Sequence, residues 1–141
     1  MYLHITPARL IAEVQKEFNN MFPFLKLEFF QNKSSAQSGF SLKNLISHNR
    51  KIVEIQPAVK DGGVEIMVEM KVQDLEKIFK DQFGLAVQVF RRSGNLWLET
   101  TMTDSWTLRQ QNEHGEEISS GVVKKNTFLP EDYDLRRDKD S

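Results

Sequence analysis

The chain has 141 residues and carries 19 Lys plus Arg against 20 Asp plus Glu, a net charge of −1. That length suffices for one domain with a real core, and the absence of cysteine excludes disulfides, a thiolate nucleophile and cysteine zinc sites. The even charge balance removes the basic excess that drives phosphate-backbone binding, and no apolar run approaches the roughly 20 residues that span a bilayer, so neither nucleic acid nor membrane is an expected partner. The first residues show no basic stretch followed by an apolar signal segment, so the expected location is cytoplasmic.

Tyr2 to Ile5 alternate as a short strand. Thr6 and Pro7 form a helix-start signal, Thr as N-cap and Pro in the first turn. Leu10, Ile11, Val14, Phe18, Met21 and Phe22 then recur at three- and four-residue steps, which predicts an amphipathic helix ended by Pro23. Leu25, Leu27 and Phe29 alternate with Lys26, Glu28 and Phe30 as a second strand.

Residues 31–39 shift to Asn, Lys, Ser, Ala and Gly, a composition that predicts a flexible loop. Phe40 to Asp61 is the least legible segment: Ser41, Leu42, Leu45 and Ile46 fit one helical turn or two, and Arg50 to Gln56 fits either a short strand or a short helix. Gly62 and Gly63 precede a third strand, Val64 to Met70, and a second amphipathic helix follows with Val72, Leu75, Ile78, Phe79 and Phe83 on its stripe and Gly84 placed to close it.

Two alternating runs, Leu85 to Phe90 and Leu96 to Thr101, read as a hairpin. A Ser93-Gly94 loop sets Phe90 against Trp97 and Val89 against Leu98, keeping the apolar rows together; a Gly94-Asn95 loop sets Phe90 against Glu99 and Leu98 against Arg91, mixing them. Register therefore favours the first. Thr103, Asp104 and Ser105 are N-cap candidates for a polar helix reaching His114, with Gly115 beyond its end. The domain is expected to span 1–115, followed by a charged tail over 116–141 with a docking patch at most around Phe128, Leu129 and Tyr133.

Laid over one another, the first helix and strand and the second match in spacing: Val14 on Leu75, Phe18 on Phe79, Phe22 on Phe83, then Leu25, Leu27 and Phe29 on Leu85, Val87 and Val89. Two strand-helix-strand units in series predict an α+β domain of the ferredoxin-like β-α-β-β-α-β kind, one antiparallel sheet with both helices on a single face, extended by a hairpin strand and a short helix. The stretches SGNLWLETT, TDSWTL and QNEHG resemble those of a group of small uncharacterised bacterial proteins; the resemblance implies a bacterial chain and brings no catalytic motif.

Chemistry is sparse. His4, His48 and His114 lack metal-ligand spacing, and no phosphate-binding loop, nucleophile elbow or dinucleotide fingerprint occurs, so no cofactor or metal is expected. Asp104 and Ser105 before His114 read as caps rather than as part of a triad. The sheet face opposite the helices is the unusual feature. It carries Tyr2, Phe30, Met67, Phe90 and Trp97 among Glu28, Glu65, Glu69 and Glu99, more aromatic area than a solvated face needs. An RNA-binding sheet of this topology is disfavoured because acidic residues on the third strand repel phosphate. The leading expectation is a non-enzymatic protein-interaction or assembly domain, taking a protein partner or a second copy, with Trp97, Phe90, Phe30, Tyr2 and Glu99 as binding residues. The alternative is a small-molecule-binding regulatory domain; an enzyme ranks third.

Overall fold

The computed structural model describes residues 1–31 and 44–120. Its elements are β1 (Tyr2–Ile5), α1 (Ile11–Met21), β2 (Leu25–Phe30), α2 (Ile52–Ile55), β3 (Gly62–Glu65), α3 (Val72–Phe83), β4 (Ala86–Ser93), β5 (Leu96–Glu99), a 3-10 turn (Thr101–Thr103) and α4 (Leu108–Ser120). The class is α+β, with four helices and two antiparallel sheets among the described residues, β1-β3 and β2-β4-β5. Apart from Gln31, whose N–H donates to the Asn44 carbonyl, the expected loop lies outside the described residues, as do Phe128, Leu129 and Tyr133.

The single ferredoxin-like sheet is not what these ladders make. That arrangement needs the first strands of the two units side by side and parallel within one sheet, whereas Leu3 lies opposite Val64 with β1 and β3 antiparallel. In the other sheet Glu28 lies opposite Gln88, again antiparallel.

Both long helices form as their apolar spacing dictates. Ile11, Val14 and Phe18 of α1 and Val72, Leu75, Phe79 and Phe83 of α3 are buried. Phe18, Phe29 and Phe79 are fully enclosed, and the rings of Phe29 and Phe79 meet edge to face at 6.1 Å. The α1 start differs from expectation. Thr6 and Pro7 belong to a turn closed by the Arg9 N–H on the Thr6 carbonyl, and the helix begins only after Leu10, whose N–H is accepted by the Glu13 carboxylate at 2.9 Å. At the other end of α3, Gly84 takes φ +65° and closes the helix as its position suggested.

The two helix starts are tied down alike. Leu10 bridges Lys51, and Lys71 bridges Thr107. Ile11 donates to the Arg50 carbonyl and Ala12 to that of His48, while Val72 donates to Trp106 and Gln73 to Asp104. Returning bonds run from Ile52 to Arg9 and Val53 to Pro7 in the first case, and from Leu108 to Met70 and Arg109 to Val68 in the second. Arg50 to Gln56 thus resolves into a bridge at Lys51 and the single helical turn α2, while Ser41 and Leu42 lie outside the described residues.

The hairpin takes the Gly94-Asn95 loop. Phe90 lies opposite Glu99, Arg91 opposite Leu98 and Arg92 opposite Trp97, so the expected Phe90-Trp97 pair does not form. Two-residue hairpin loops demand positive φ at their first position, which Gly94 supplies at +64° and a serine resists. Mixing the rows is tolerated because the Arg91 guanidinium donates to Gln111 Oε1 of α4 at 2.9 Å.

β3 ends at Glu65, short of the expected Met70, since Met67 to Met70 form a turn. Beyond the hairpin, α4 starts after Thr107, which with Gln110 makes a capping box: the Gln110 N–H donates to Thr107 Oγ1 and the Thr107 N–H to Gln110 Oε1. Gly115 sits inside α4 rather than beyond its end. A Cβ there would lie 3.0 Å from Arg91 Cγ and 3.0 Å from Phe24 Cβ, so the glycine permits close approach to β4 and the helix runs on to Ser120, past the expected boundary at 115.

Candidate functional site

β2 forms one margin of its sheet, and α1 lies along it. Gln15 Nε2 donates to the Leu27 carbonyl at 2.7 Å and Asn19 Nδ2 to the Leu25 carbonyl at 2.8 Å, so side-chain amides occupy strand groups that would otherwise face water. Because the two residues are one helical turn apart, they address alternate carbonyls of the strand.

Between this helix and the polar row of β2 runs a groove of about 640 Å³ with Trp97 on its wall. Lys26 Nζ stands 5.1 Å from the Trp97 ring centroid and 2.9 Å from Glu28 Oε2. Glu28 also accepts from Gln15 Nε2 at 3.0 Å, so this largely covered carboxylate is doubly satisfied. Lys16, Asn19, Ser47 and His48 complete the polar lining, and no hydrogen-bond or ion-pair partner engages the side chains of Lys16 or His48 among the described residues.

Trp97 itself is half-buried. Among the described residues its strand β5 has β4 as its one ladder partner and leaves Leu96 64% and Leu98 38% exposed, with Met102 just beyond it 95% exposed. Of the expected binding residues, Glu99 is exposed on the same strand, whereas Phe30 and Phe90 are buried and present little surface. Tyr2 belongs to the other sheet, where its ring covers Gly63 and meets the His4 ring edge-on at 4.8 Å. The five residues therefore do not share one surface.

Two titrating groups are strongly perturbed elsewhere. Glu76 of α3 is pushed up to about 7, chiefly by burial, with Asp104 adding to the shift and the N–H of Val89 opposing it. His114 is held down to about 4 by burial and by Arg91, its ring packed edge-on against Trp106 at 5.5 Å. Its Nδ1 lies 3.9 Å from Glu117 Oε1, but a neutral imidazole makes no ion pair there at pH 7. At the surface, the Arg109 guanidinium holds the Glu69 carboxyl below its ordinary range.

Among the described residues no group of three or more His, Asp or Glu side chains is placed to hold a metal ion, and no helix is long and apolar enough to cross a membrane. Comparison with protein-family models, with curated proteins and with solved structures finds no match. Sequence reasoning missed the groove. Lys26 and Glu28 were legible as the polar row of β2, but Gln15, Lys16 and His48 meet it only through the placement of α1, and His48 falls in the segment whose pattern was ambiguous.

Proposed function

We propose that the chain is a non-enzymatic protein-binding domain of the cytoplasm whose contact surface is the outer edge of β5. The observation that supports this most is the exposure of Leu96 and Leu98, with Met102 beside them, on a strand whose far side carries no ladder among the described residues. Such an edge invites strand addition; β5 is short and ends in the exposed Glu99, but LWLE carries no lysine or proline to block pairing. A partner strand, from another protein or a second copy, gains main-chain hydrogen bonds from β5 and side-chain contact with Trp97.

The scaffold behind this edge is, in the same reading, a duplicated strand-helix-strand unit. Leu10 and Lys71 are 61 positions apart, and the bonds around them correspond one for one. Leu3 faces Val64, also 61 positions on, and Glu28 faces Gln88, 60 positions on, as a twofold relation between copies requires.

The test is Leu98→Lys, compared with Trp97→Ala. Sedimentation velocity and partner capture should both register loss of association in Leu98→Lys, while its thermal midpoint moves little because the side chain is exposed. Retained association in both variants would remove the β5 edge from the function.

A further inference from the structure

We infer that the groove beside Trp97 is a separate small-molecule site, for a ligand that joins a flat apolar group to a carboxylate. This goes beyond the β5 edge and shares Trp97 alone with it. The volume, about 640 Å³, falls in the range of small-ligand sites. The backbone does not oblige it to be open. At the corresponding position by α3, the residue matching Gln15 is Glu76, which accepts the Val89 N–H, and the residue matching Glu28 is Gln88, which is buried. Thr100, also buried, bonds the Val89 carbonyl there, much as the Ile46 N–H bonds that of Phe29 beside the groove. One side is filled by its own side chains; the other keeps a space lined by polar groups.

Charge selects the ligand. Glu28 is neutralised by Lys26 and further bonded by Gln15, and Lys26 in turn occupies one indole contact of Trp97. The ammonium of Lys16 is left without a partner among the described residues, and the His48 imidazole, which lines the same groove, is available as a hydrogen-bond donor. A carboxylate satisfies Lys16 with a charge-assisted bond, and an attached aromatic ring packs against the remaining indole surface. A cationic ligand would meet Lys16 and Lys26 as like charges. A phosphate dianion would sit close to Glu28 without the helix N-terminus that usually holds one.

The probe is 3-phenylpropionate, with its neutral amide as the isosteric control. The readout is the indole N–H resonance of Trp97, told apart from that of Trp106 with a Trp106→Phe variant of the full chain. We expect the acid to shift this resonance saturably and the amide to bind about tenfold more weakly, the loss of one charge-assisted hydrogen bond. Lys16→Gln, at an exposed position, should abolish the difference between acid and amide, whereas Leu98→Lys should leave it intact. Equal binding of acid and amide, a preference that survives Lys16→Gln, or no shift with either probe at millimolar concentration would each overturn the inference without bearing on the β5 edge.

Discussion

The Glu76 carboxylate accepts the Val89 N–H at 3.1 Å, fastening α3 to the central strand of the larger sheet with a group that is costly to ionise there. Its folded pKa of about 7 lies above the ordinary 4.5, so the folded state keeps a proton that the unfolded chain releases. This group's stabilisation is whole below about pH 4.5 and is lost as pH rises to 7. His114 acts in the opposite sense. Held at about 4 against 6.5, it withdraws stability as pH falls from 6.5 to 4. The two slopes oppose each other between 4.5 and 6.5, and above 6.5 Glu76 acts alone. Thermal midpoints should therefore vary little across the shared window and decline above it. Glu76→Gln, which can still accept the Val89 N–H, should abolish that decline and raise stability at pH 8 by about 2 to 3 kcal/mol. An unchanged profile in the variant would show that Glu76 titrates normally.

Phe18 and Phe79 should prove equivalent anchors. Both are fully buried, each at the middle of its helix stripe. Replacement of either by Ala should lower stability by about 3 to 5 kcal/mol in urea denaturation. A loss below about 1 kcal/mol at one of them would break the equivalence.

Gly94→Ala should destabilise the hairpin by about 1 to 2 kcal/mol through backbone strain alone, because nothing lies within 4 Å of the added methyl. Ser93→Ala, in the strand, should stay within about 0.5 kcal/mol. The reverse order would restore the Ser93-Gly94 loop.

Thr107→Ala should fray the start of α4, where the Thr107 hydroxyl accepts the Gln110 N–H at 3.1 Å. The expected loss is about 1 kcal/mol, with hydrogen exchange accelerating in the first turn of α4 before it does so in β4. Uniform exchange across both elements would mean that the helix start is held by its bridge to Lys71 instead.

Where sequence and structure agree, the signal is period and burial together. The stripes of α1 and α3 and the Leu25, Leu27 and Phe29 row of β2 are each buried as their period dictates, so a local pattern suffices, whereas β4 buries both its faces from Val87 to Phe90. The hairpin register departs from the match of apolar rows because turn chemistry decides it: Gly94 at the first loop position outweighs the placement of Leu98 opposite Arg91. The capping box of Thr107 and Gln110 was legible but overshadowed by three nearer cap candidates. Around Lys51 no periodicity could help, since a lone bridge and the four-residue helix Ile52–Ile55 are shorter than any repeat. The groove depends on a tertiary fact, α1 lying against the free margin of β2, which the sequence of neither element contains.

The amides of Gln15 and Asn19 also give the larger sheet a direction. One margin is plugged by the molecule's own helix, so among the described strands of that sheet only β5 is open to growth. A copy that joins another through β5 uses up the one available margin of each, and the pair then has nothing left in that sheet to offer a third. Association by this route ends at two copies, and the exposed apolar strand carries no risk of propagating into a fibre through this sheet. Loss of the plug, as in Gln15→Ala with Asn19→Ala, would bare the Leu25 and Leu27 carbonyls, while the Phe29 and Phe30 end of that margin stays paired with Asn44, Leu45 and Ile46.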